Sequence, residues 1–210
     1  MAELRFPNEG SIPEFLAALA SPEDTHGALA AAAMAGAMGA SLLQMVAALP
    51  QTLPRADDEP TALVRAIGAL VRVQEELLET IETETAVKLF AARNMPQASK
   101  TERAERESAI QLALRAADVP LEIMRLCGRA LQHAETVAGR SARAASIDVE
   151  LAVTLLETAF NAARSNLEAK LPILTNSVHV TLIGEEIARL SRGTAAAADA
   201  ARWVVKVPAA

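Results

Sequence analysis

The stretch DTHGALAAAAMAGAMGASLLQMVAAL, which begins at Asp24, constrains the fold more than any other part of the chain. Between Asp24 and Arg55 only His26 can carry a side-chain charge. A segment of this kind is a membrane span, a glycine loop for a phosphate, or a buried helix. It is long enough to cross a bilayer, but it is rich in Ala and Gly and contains Ser41 and Gln44, so its transfer into hydrocarbon would be only weakly favourable. We therefore predict that it does not enter a membrane.

The order of residues inside the stretch favours a buried helix over residues 28–48. Large side chains recur at helical spacing and share one stripe: Met34, Met38, Leu42, Met45 and Leu49. Mostly small residues line another side: Ala32, Gly36, Gly39, Leu43 and Ala47. A helix of this kind can bury both sides, and its small side lets a neighbouring backbone approach closely. The pattern predicts the central helix of a bundle.

Helical periodicity continues on both sides of this segment. A short helix from Ile12 to Ala20 precedes it, and the proline-rich residues 50–60 are predicted to form a loop. The third helix carries a coiled-coil-like seam: Leu63, Ile67, Leu70, Gln74, Leu77 and Ile81. Beyond Ile81 the same face turns polar at Glu84, which indicates that the helix either emerges into solvent or enters a pocket.

The second half of the chain is also predicted to be helical. A long stretch from Glu102 to Val137 contains Pro120, whose missing amide predicts a kink or a division into two helices. The last predicted helix is Ser177 to Arg192. Residues 193–210 are predicted to be a flexible tail, of which RWVVKVPAA would pack as an extended segment.

Composition agrees with one helical domain. The chain has 210 residues, 51% of them apolar but only 2% aromatic, so closely packed aliphatic helices have to form the core. The net charge of −6 argues against a nucleic-acid partner. The one cysteine, Cys127, excludes an intrachain disulfide, and the N-terminus lacks the pattern of a secretory signal, which favours a cytoplasmic protein. We predict one all-α domain over residues 1–210, a helical bundle with a buried Ala/Gly-rich central helix.

Short catalytic motifs do not identify a function. The sequence contains no nucleotide-binding glycine loop, zinc-protease motif or nucleophile elbow, and its three scattered histidines predict no metal site. Asp118 either caps the second half of the proline-containing helix or has a chemical role, and Asp148 at a helix start has the same two interpretations. Asn166 lies deep in a small, apolar helix, where its carboxamide needs partners unless the helix is locally exposed.

Three segments, in this order, resemble the family of formiminotransferase-cyclodeaminase C-terminal domains and methenyltetrahydrofolate cyclohydrolases. They are IPEFLAALASPEDTHGALAAAAMAGAMGASLLQMVAAL, AADVPLEIMRLCGRALQHAE and SIDVELAVTLLETAFNAARSNLEAKL. The resemblance covers roughly residues 12–190. It implies the family's all-α fold and a homodimer.

The resemblance also implies a one-carbon enzyme that acts on a C–N bond of a folate-like cyclic amidine. In a cyclohydrolase, water adds to the methenyl carbon between N5 and N10 and a ring C–N bond opens; in a cyclodeaminase, N10 closes on a formimino carbon and ammonia leaves. Both reactions need a proton acceptor and a donor near that carbon. The implied catalytic carboxylates are Glu82, Asp118 and Asp148. The implied substrate-binding residues are Thr25, His26, Gly27 and Asn166. We expect Glu82, Asp148 and Asn166 to converge on one cavity near residues 25–29.

The chain departs from the family pattern around this predicted cavity. Thr25-His26-Gly27-Ala28-Leu29 replaces a run of glycines, and the acidic loop RADDEP replaces a lysine-rich run that would suit a glutamate tail. The departures imply a smaller or less anionic ligand. They leave two hypotheses open: a folate-type enzyme whose substrate is a tetrahydrofolate derivative, without cofactor or metal, or a catalytically inactive member that acts as a dimeric binding or regulatory protein.

Overall fold

The computed structural model describes residues 11–21, 27–49, 61–93, 102–174 and 178–206. Within these ranges, side chains are described except for Thr61, Arg115 and residues 85–93, 102–113 and 173–174. The described residues form six α-helices: α1 (Ile12–Ala20), α2 (Ala28–Ala48), α3 (Thr61–Arg93), α4 (Glu102–Ala138), α5 (Ser146–Glu168) and α6 (Val178–Lys206). Two short 3-10 turns, Arg143–Ala145 and Leu171–Leu174, flank α5. These ranges contain no strand, so the prediction of an all-α fold is confirmed.

Helix α2 occupies the centre of the bundle. It packs most extensively on α5 and α3 and also contacts α4, while α6 covers α4 and α5. Its small side is buried as predicted, since all five of its residues are buried: Ala32, Gly36, Gly39, Leu43 and Ala47. The absence of large side chains on that side lets three other helices come close to the α2 backbone.

The stripe of large side chains on α2 is only partly buried: Leu42 and Leu49 pack against the core, whereas its two other methionines after Met34 are exposed. Met38 is 53% exposed and Met45 is 42% exposed, so the prediction that both sides of α2 are buried is wrong for this side. By length and hydropathy α2 could cross a bilayer, but 56% of that window is buried inside the bundle, as in the core helix of a soluble protein.

Two other predictions about helix ends need correction. Pro120 lies within α4, which continues through it as one helix, so the predicted division does not occur. The predicted tail is also wrong, because α6 extends to Lys206 and includes residues 193–206. The Ala-rich segment 195–201 favours helix and carries the chain into the arginine and valines that follow. The predicted loop at residues 50–60 lies outside the described residues.

Candidate functional site

Three other helices pack closely against α2 at Gly36. A Cβ atom placed on this glycine would lie 3.1 Å from Leu77 Cδ1, 3.2 Å from Cys127 Sγ and 3.3 Å from Ala159 Cβ. Gly36 therefore marks a level at which α2, α3, α4 and α5 meet. We call these four residues the Gly36 layer.

The contacts on either side of this layer give the helix directions. A Cβ on Gly39 would lie 2.8 Å from the carbonyl oxygen of Ala152, seven residues before Ala159, so α5 runs antiparallel to α2. Gln44 Nε2 donates to the carbonyl oxygen of Leu70 at 3.2 Å, so α3 also runs antiparallel to α2. Moving towards the N-terminus of α2 therefore corresponds to moving towards the C-termini of α3 and α5.

The residues one heptad from the Gly36 layer form a second level at the end of the bundle where α2 begins. Seven residues bring a helix back to nearly the same face, about 10.5 Å further along its axis. This step leads to a set that we call the polar layer: Leu29, Glu84, Pro120 and Asn166. In the polar layer, Glu84 and Asn166 take the places that Leu77 and Ala159 have in the Gly36 layer.

In this layer Glu84 is buried as a residue, whereas Asn166 is partly exposed and buries its Oδ1 atom. Glu84 is only 5% exposed, and it continues the face of α3 that buries Leu70 and Leu77. The Oδ1 atom of Asn166 is buried and has no hydrogen-bond partner among the described residues. A buried carbonyl oxygen that lacks a donor is costly and is a feature of binding sites awaiting a ligand or water.

The N-terminus of α2 points into the same level. Gly27 is its N-cap, with extended backbone (φ −151°, ψ −163°) and no side chain to cap the first-turn amides. These amides and the positive end of the helix dipole favour an acceptor or a negative charge nearby. The structure therefore places Gly27 at the same end of the bundle as Asn166, as the sequence predicts.

Lys170 connects α5 to α4 next to this layer. Its Nζ atom donates to the carbonyl oxygen of Ala116 at 2.7 Å. In a regular helix the amide of residue 120 would donate to that carbonyl, but Pro120 has no amide hydrogen. Lys170 therefore replaces the missing donor, which explains how α4 continues through its proline.

The predicted acids do not occupy the predicted positions. Glu82 is exposed, whereas Glu84, two residues later, is the buried carboxylate of α3. Asp118 is exposed on an unbroken helix, so α4 has no second N-terminus for it to cap. The heptad spacing of the sequence predicts that Glu84 faces the core, because Glu84 extends the seam of Leu70 and Leu77 by one heptad.

Asp148 lies at the other end of the bundle. It is in the first turn of α5, eighteen residues before Asn166 on the same helix, a separation of about 27 Å. The predicted convergence of Asp148 with Asn166 on one cavity is therefore wrong. In the first turn, Asp148 is positioned to interact favourably with the helix dipole. Thr25 and His26 lie outside the described residues.

The polar layer can carry out acid-base chemistry without a metal ligand set. A buried carboxylate accepts or donates a proton, and the carboxamide oxygen of Asn166 accepts a hydrogen bond from a ligand or a water. Among the described residues, no group of three or more His, Cys, Asp or Glu side chains could hold a metal ion. The site is suited to an uncharged or cationic ligand that offers donors.

Comparisons with known proteins agree on one family. A model of the formiminotransferase-cyclodeaminase family matches residues 11–189. A methenyltetrahydrofolate cyclohydrolase of Methylorubrum extorquens is 35% identical over 133 residues, and the match spans 61% of this chain and 63% of the length of that relative. The crystal structure of a formiminotetrahydrofolate cyclodeaminase from Thermotoga maritima matches with a TM-score of 0.82, at 17% identity, over 95% of this chain and 97% of that one. At that identity the last similarity shows the fold.

Proposed function

The chain belongs to the formiminotransferase-cyclodeaminase family, and on that basis we propose that it is a folate one-carbon enzyme of the methenyltetrahydrofolate cyclohydrolase type. The 35% identity to a cyclohydrolase supports this choice over the cyclodeaminase reaction. The observation that carries the proposal is the polar layer, where the buried carboxylate of Glu84 and the unpartnered carbonyl oxygen of Asn166 lie at one level of the bundle.

In the proposed reaction Glu84 acts as the general base. The oxygen of a water molecule bonds to the methenyl carbon while Glu84 takes one of its protons. One ring C–N bond then breaks, its electron pair returns to nitrogen together with a proton, and the formyl carbonyl forms, with one proton released overall. A carboxylate beside the cationic amidine also stabilises the bound substrate, because opposite charges attract more strongly where burial lowers the local dielectric constant.

Asn166 has a positioning role in this proposal. Its Oδ1 atom is an acceptor that can hold the attacking water or an N–H of the substrate. The first-turn amides of α2 stabilise negative charge that develops on oxygen as water adds. We propose that the reaction needs no cofactor and that Leu29, in place of a family glycine, restricts the site to a smaller or less anionic ligand.

A direct test follows methenyltetrahydrofolate by its absorbance in the presence of the protein. Glu84→Gln should lower kcat by about 100-fold or more, since a general base contributes roughly 10²–10⁴. Its Tm should stay close to that of the wild type, because the amide matches the carboxyl in size. The matched control is Glu82→Gln, an exposed acid one half-turn away, which should retain full activity.

Three outcomes would contradict the enzyme proposal. They are wild-type protein that does not exceed the spontaneous rate, a Glu84→Gln variant with unchanged kcat, and loss of activity in Glu82→Gln instead. Binding of the methenyl compound without turnover would support the inactive binding protein as the better account.

We further propose a cytoplasmic homodimer that covers the exposed side of α2. No charged residue occurs in α2, and its outward side chains include Met38 and Met45. The adjoining rim of α5 adds Leu151 and Ile147, which are 48% and 78% exposed. Leu151 lies one turn before Leu155, whose Cβ is 3.3 Å from a Cβ built on Gly39. We call these four exposed side chains the α2–α5 face; burying such a patch against a second copy removes it from water.

A further inference from the structure

A surface groove of about 310 Å³ runs between α4 and α6, away from the polar layer. Arg125 and Arg129 lie two residues on either side of Cys127, which faces Gly36, so they project from the opposite face of α4. The groove and the polar layer are therefore separate sites. The residues that carry the argument are Glu122, Arg125, Gly128, Arg129, Arg189 and Thr194; we call them the arginine groove.

Glutamates hold the guanidinium groups without using all of their donors. Arg189 donates through Nε and one terminal nitrogen to Glu186, at 2.7 and 2.8 Å. Arg125 donates to Glu186 through Nε at 3.2 Å and pairs with Glu122 at 3.6 Å. The hydrogen bond from Arg189, aided by Arg125, lowers the pKa of Glu186 to about 2, so this carboxylate stays ionised. Among the residues that the structure describes, one terminal nitrogen of Arg189 and one of Arg125 have no acceptor in these pairs.

Arg129 is the third arginine of the groove; it belongs to α4 and faces α3. One of its terminal nitrogens pairs with Glu76 of α3 and lies 3.5 Å from Glu122. Its other terminal nitrogen and its Nε take part in neither pair. Carboxylates thus pre-orient three guanidinium groups around one groove, which reduces the side-chain entropy that a ligand would otherwise have to overcome.

Thr194 supplies an independent indication of a ligand. It is 5% exposed and its hydroxyl oxygen has no hydrogen-bond partner among the described residues. Other helical hydroxyls in this chain, such as those of Thr154 and Thr158, donate to the carbonyl four residues earlier. The Thr194 hydroxyl lies instead against Gly128 of α4, 3.2 Å from where a Cβ would be. This hydroxyl is covered as well as unpartnered, so a bound group would satisfy it once a change of the Thr194 χ1 rotamer turns it towards the groove.

We propose that the arginine groove binds a small anion, a carboxylate or phosphate, held by the unused guanidinium donors and the Thr194 hydroxyl. Planar guanidinium forks match both of these anions. The volume is at the lower limit of ligand pockets, about 300 Å³, so the ligand or its anionic end is small. This proposal does not rest on the proposed enzymatic function.

The test is isothermal titration of the full chain at low ionic strength, with inorganic phosphate in one arm and glutarate in the other. The arm that binds identifies the class of anion. Arg129→Gln and Thr194→Val should each weaken binding of that anion about tenfold, as expected for loss of a hydrogen bond to a charged group. Without ligand, Thr194→Val should melt at or above the wild-type temperature, because it removes a buried hydroxyl without a partner.

Two control variants separate this site from general effects. Arg192→Gln removes an exposed charge from α6 that is not part of the groove lining, and Ser191→Ala removes another buried, unpartnered hydroxyl from the same helix. Both should bind as the wild type does. Absence of binding in both arms at about 10 mM, which corresponds to less than about 3 kcal/mol, would overturn the proposal. Equal weakening by Arg129→Gln and Arg192→Gln would do the same, as would unchanged binding by Thr194→Val.

Discussion

A proline inside a packed helix leaves one carbonyl without its usual donor, and in this protein a lysine in the turn after α5 provides the replacement. The Lys170 ammonium reaches Ala116 at 2.7 Å, four residues before Pro120. The interaction ties the end of α5 to α4 beside the polar layer. It therefore links the stability of the bundle to the geometry of the candidate site.

Lys170→Met should lower the free energy of unfolding by about 1–3 kcal/mol, the usual effect of removing a hydrogen bond to a charged group and leaving a carbonyl unsatisfied. In a Pro120→Ala background residue 120 regains its amide hydrogen, and Ala116 is satisfied within α4. The same lysine substitution should then cost much less. Urea unfolding of the four proteins in a double-mutant cycle measures the difference, and equal costs in both backgrounds would refute the explanation.

His133 gives the stability a defined pH dependence. Burial, and secondly the positive charge of Arg72, lower the pKa of His133 from its usual 6.5 in the folded state. Below pH 6.5 the unfolded chain therefore binds this proton more readily, so stability is full above that pH and falls as the pH drops towards the folded-state pKa. Tm should rise between about pH 5 and 7, and His133→Gln should flatten that rise. A pH profile that the substitution leaves unchanged would show that other groups are responsible.

The sequence predicts some of these residue-level features and not others. The burial of Glu84 is predictable, because this residue continues the heptad of Leu70 and Leu77. The family resemblance instead implied Glu82 as the catalytic acid of this helix. Asn166 was identified as a carboxamide in an apolar helix, and its unpartnered Oδ1 agrees with that interpretation. Lys170 could not be identified, since only the packing of α4 on α5 brings it to Ala116.

At the level of elements, the glycines of α2 set how closely the helices approach. A Cβ on Gly39 would lie 2.8 Å from both the Ala152 carbonyl oxygen and Leu156 Cγ. Backbone cannot move aside as a flexible side chain can. Gly39→Ala should therefore destabilise the protein by about 1–3 kcal/mol through overpacking, measured by denaturant unfolding.

The control for this substitution is Gly184 in α6, where a Cβ would meet no atom within 4 Å. Gly184→Ala should raise the free energy of unfolding by about 0.5–1 kcal/mol, because alanine has the higher helix propensity. Gly36→Ala should fall between the two, since its contacts are side chains at 3.1–3.3 Å. Stabilisation by Gly39→Ala would mean that α2 and α5 do not pack as described.

The helices were more predictable than their surroundings. Residues 28–48 match α2 as predicted, because a charge-free stretch with small residues at helical spacing has few other solutions. Periodicity does not reveal which apolar side faces the core, so the exposure of Met38 and Met45 was missed. The end of α6 was missed because an alanine-rich run has little amphipathic pattern, although alanine strongly favours helix.

On the scale of the whole molecule, the polar layer depends on four helices that are distant in sequence. Leu29, Glu84, Pro120 and Asn166 reach one level only because α3 and α5 run antiparallel to α2 and α4 runs beside them. No single segment contains this site. The same arrangement leaves the charge-free outer side of α2 without a helix packed on it. This side is therefore the surface on which the proposed homodimer depends.

The proposed homodimer predicts that Met38→Gln gives a monomer while the wild type sediments as a dimer at micromolar concentration. Met38 is already 53% exposed in the single chain, so the substitution should change the stability of the monomer by less than about 0.5 kcal/mol. In the dimer it would place a carboxamide in an apolar contact without a partner, which opposes association. Leu182→Gln on α6, 56% exposed and remote from the α2–α5 face, is the matched control and should leave the dimer intact. A monomeric wild type, or dissociation by both substitutions alike, would exclude this face as the site of assembly.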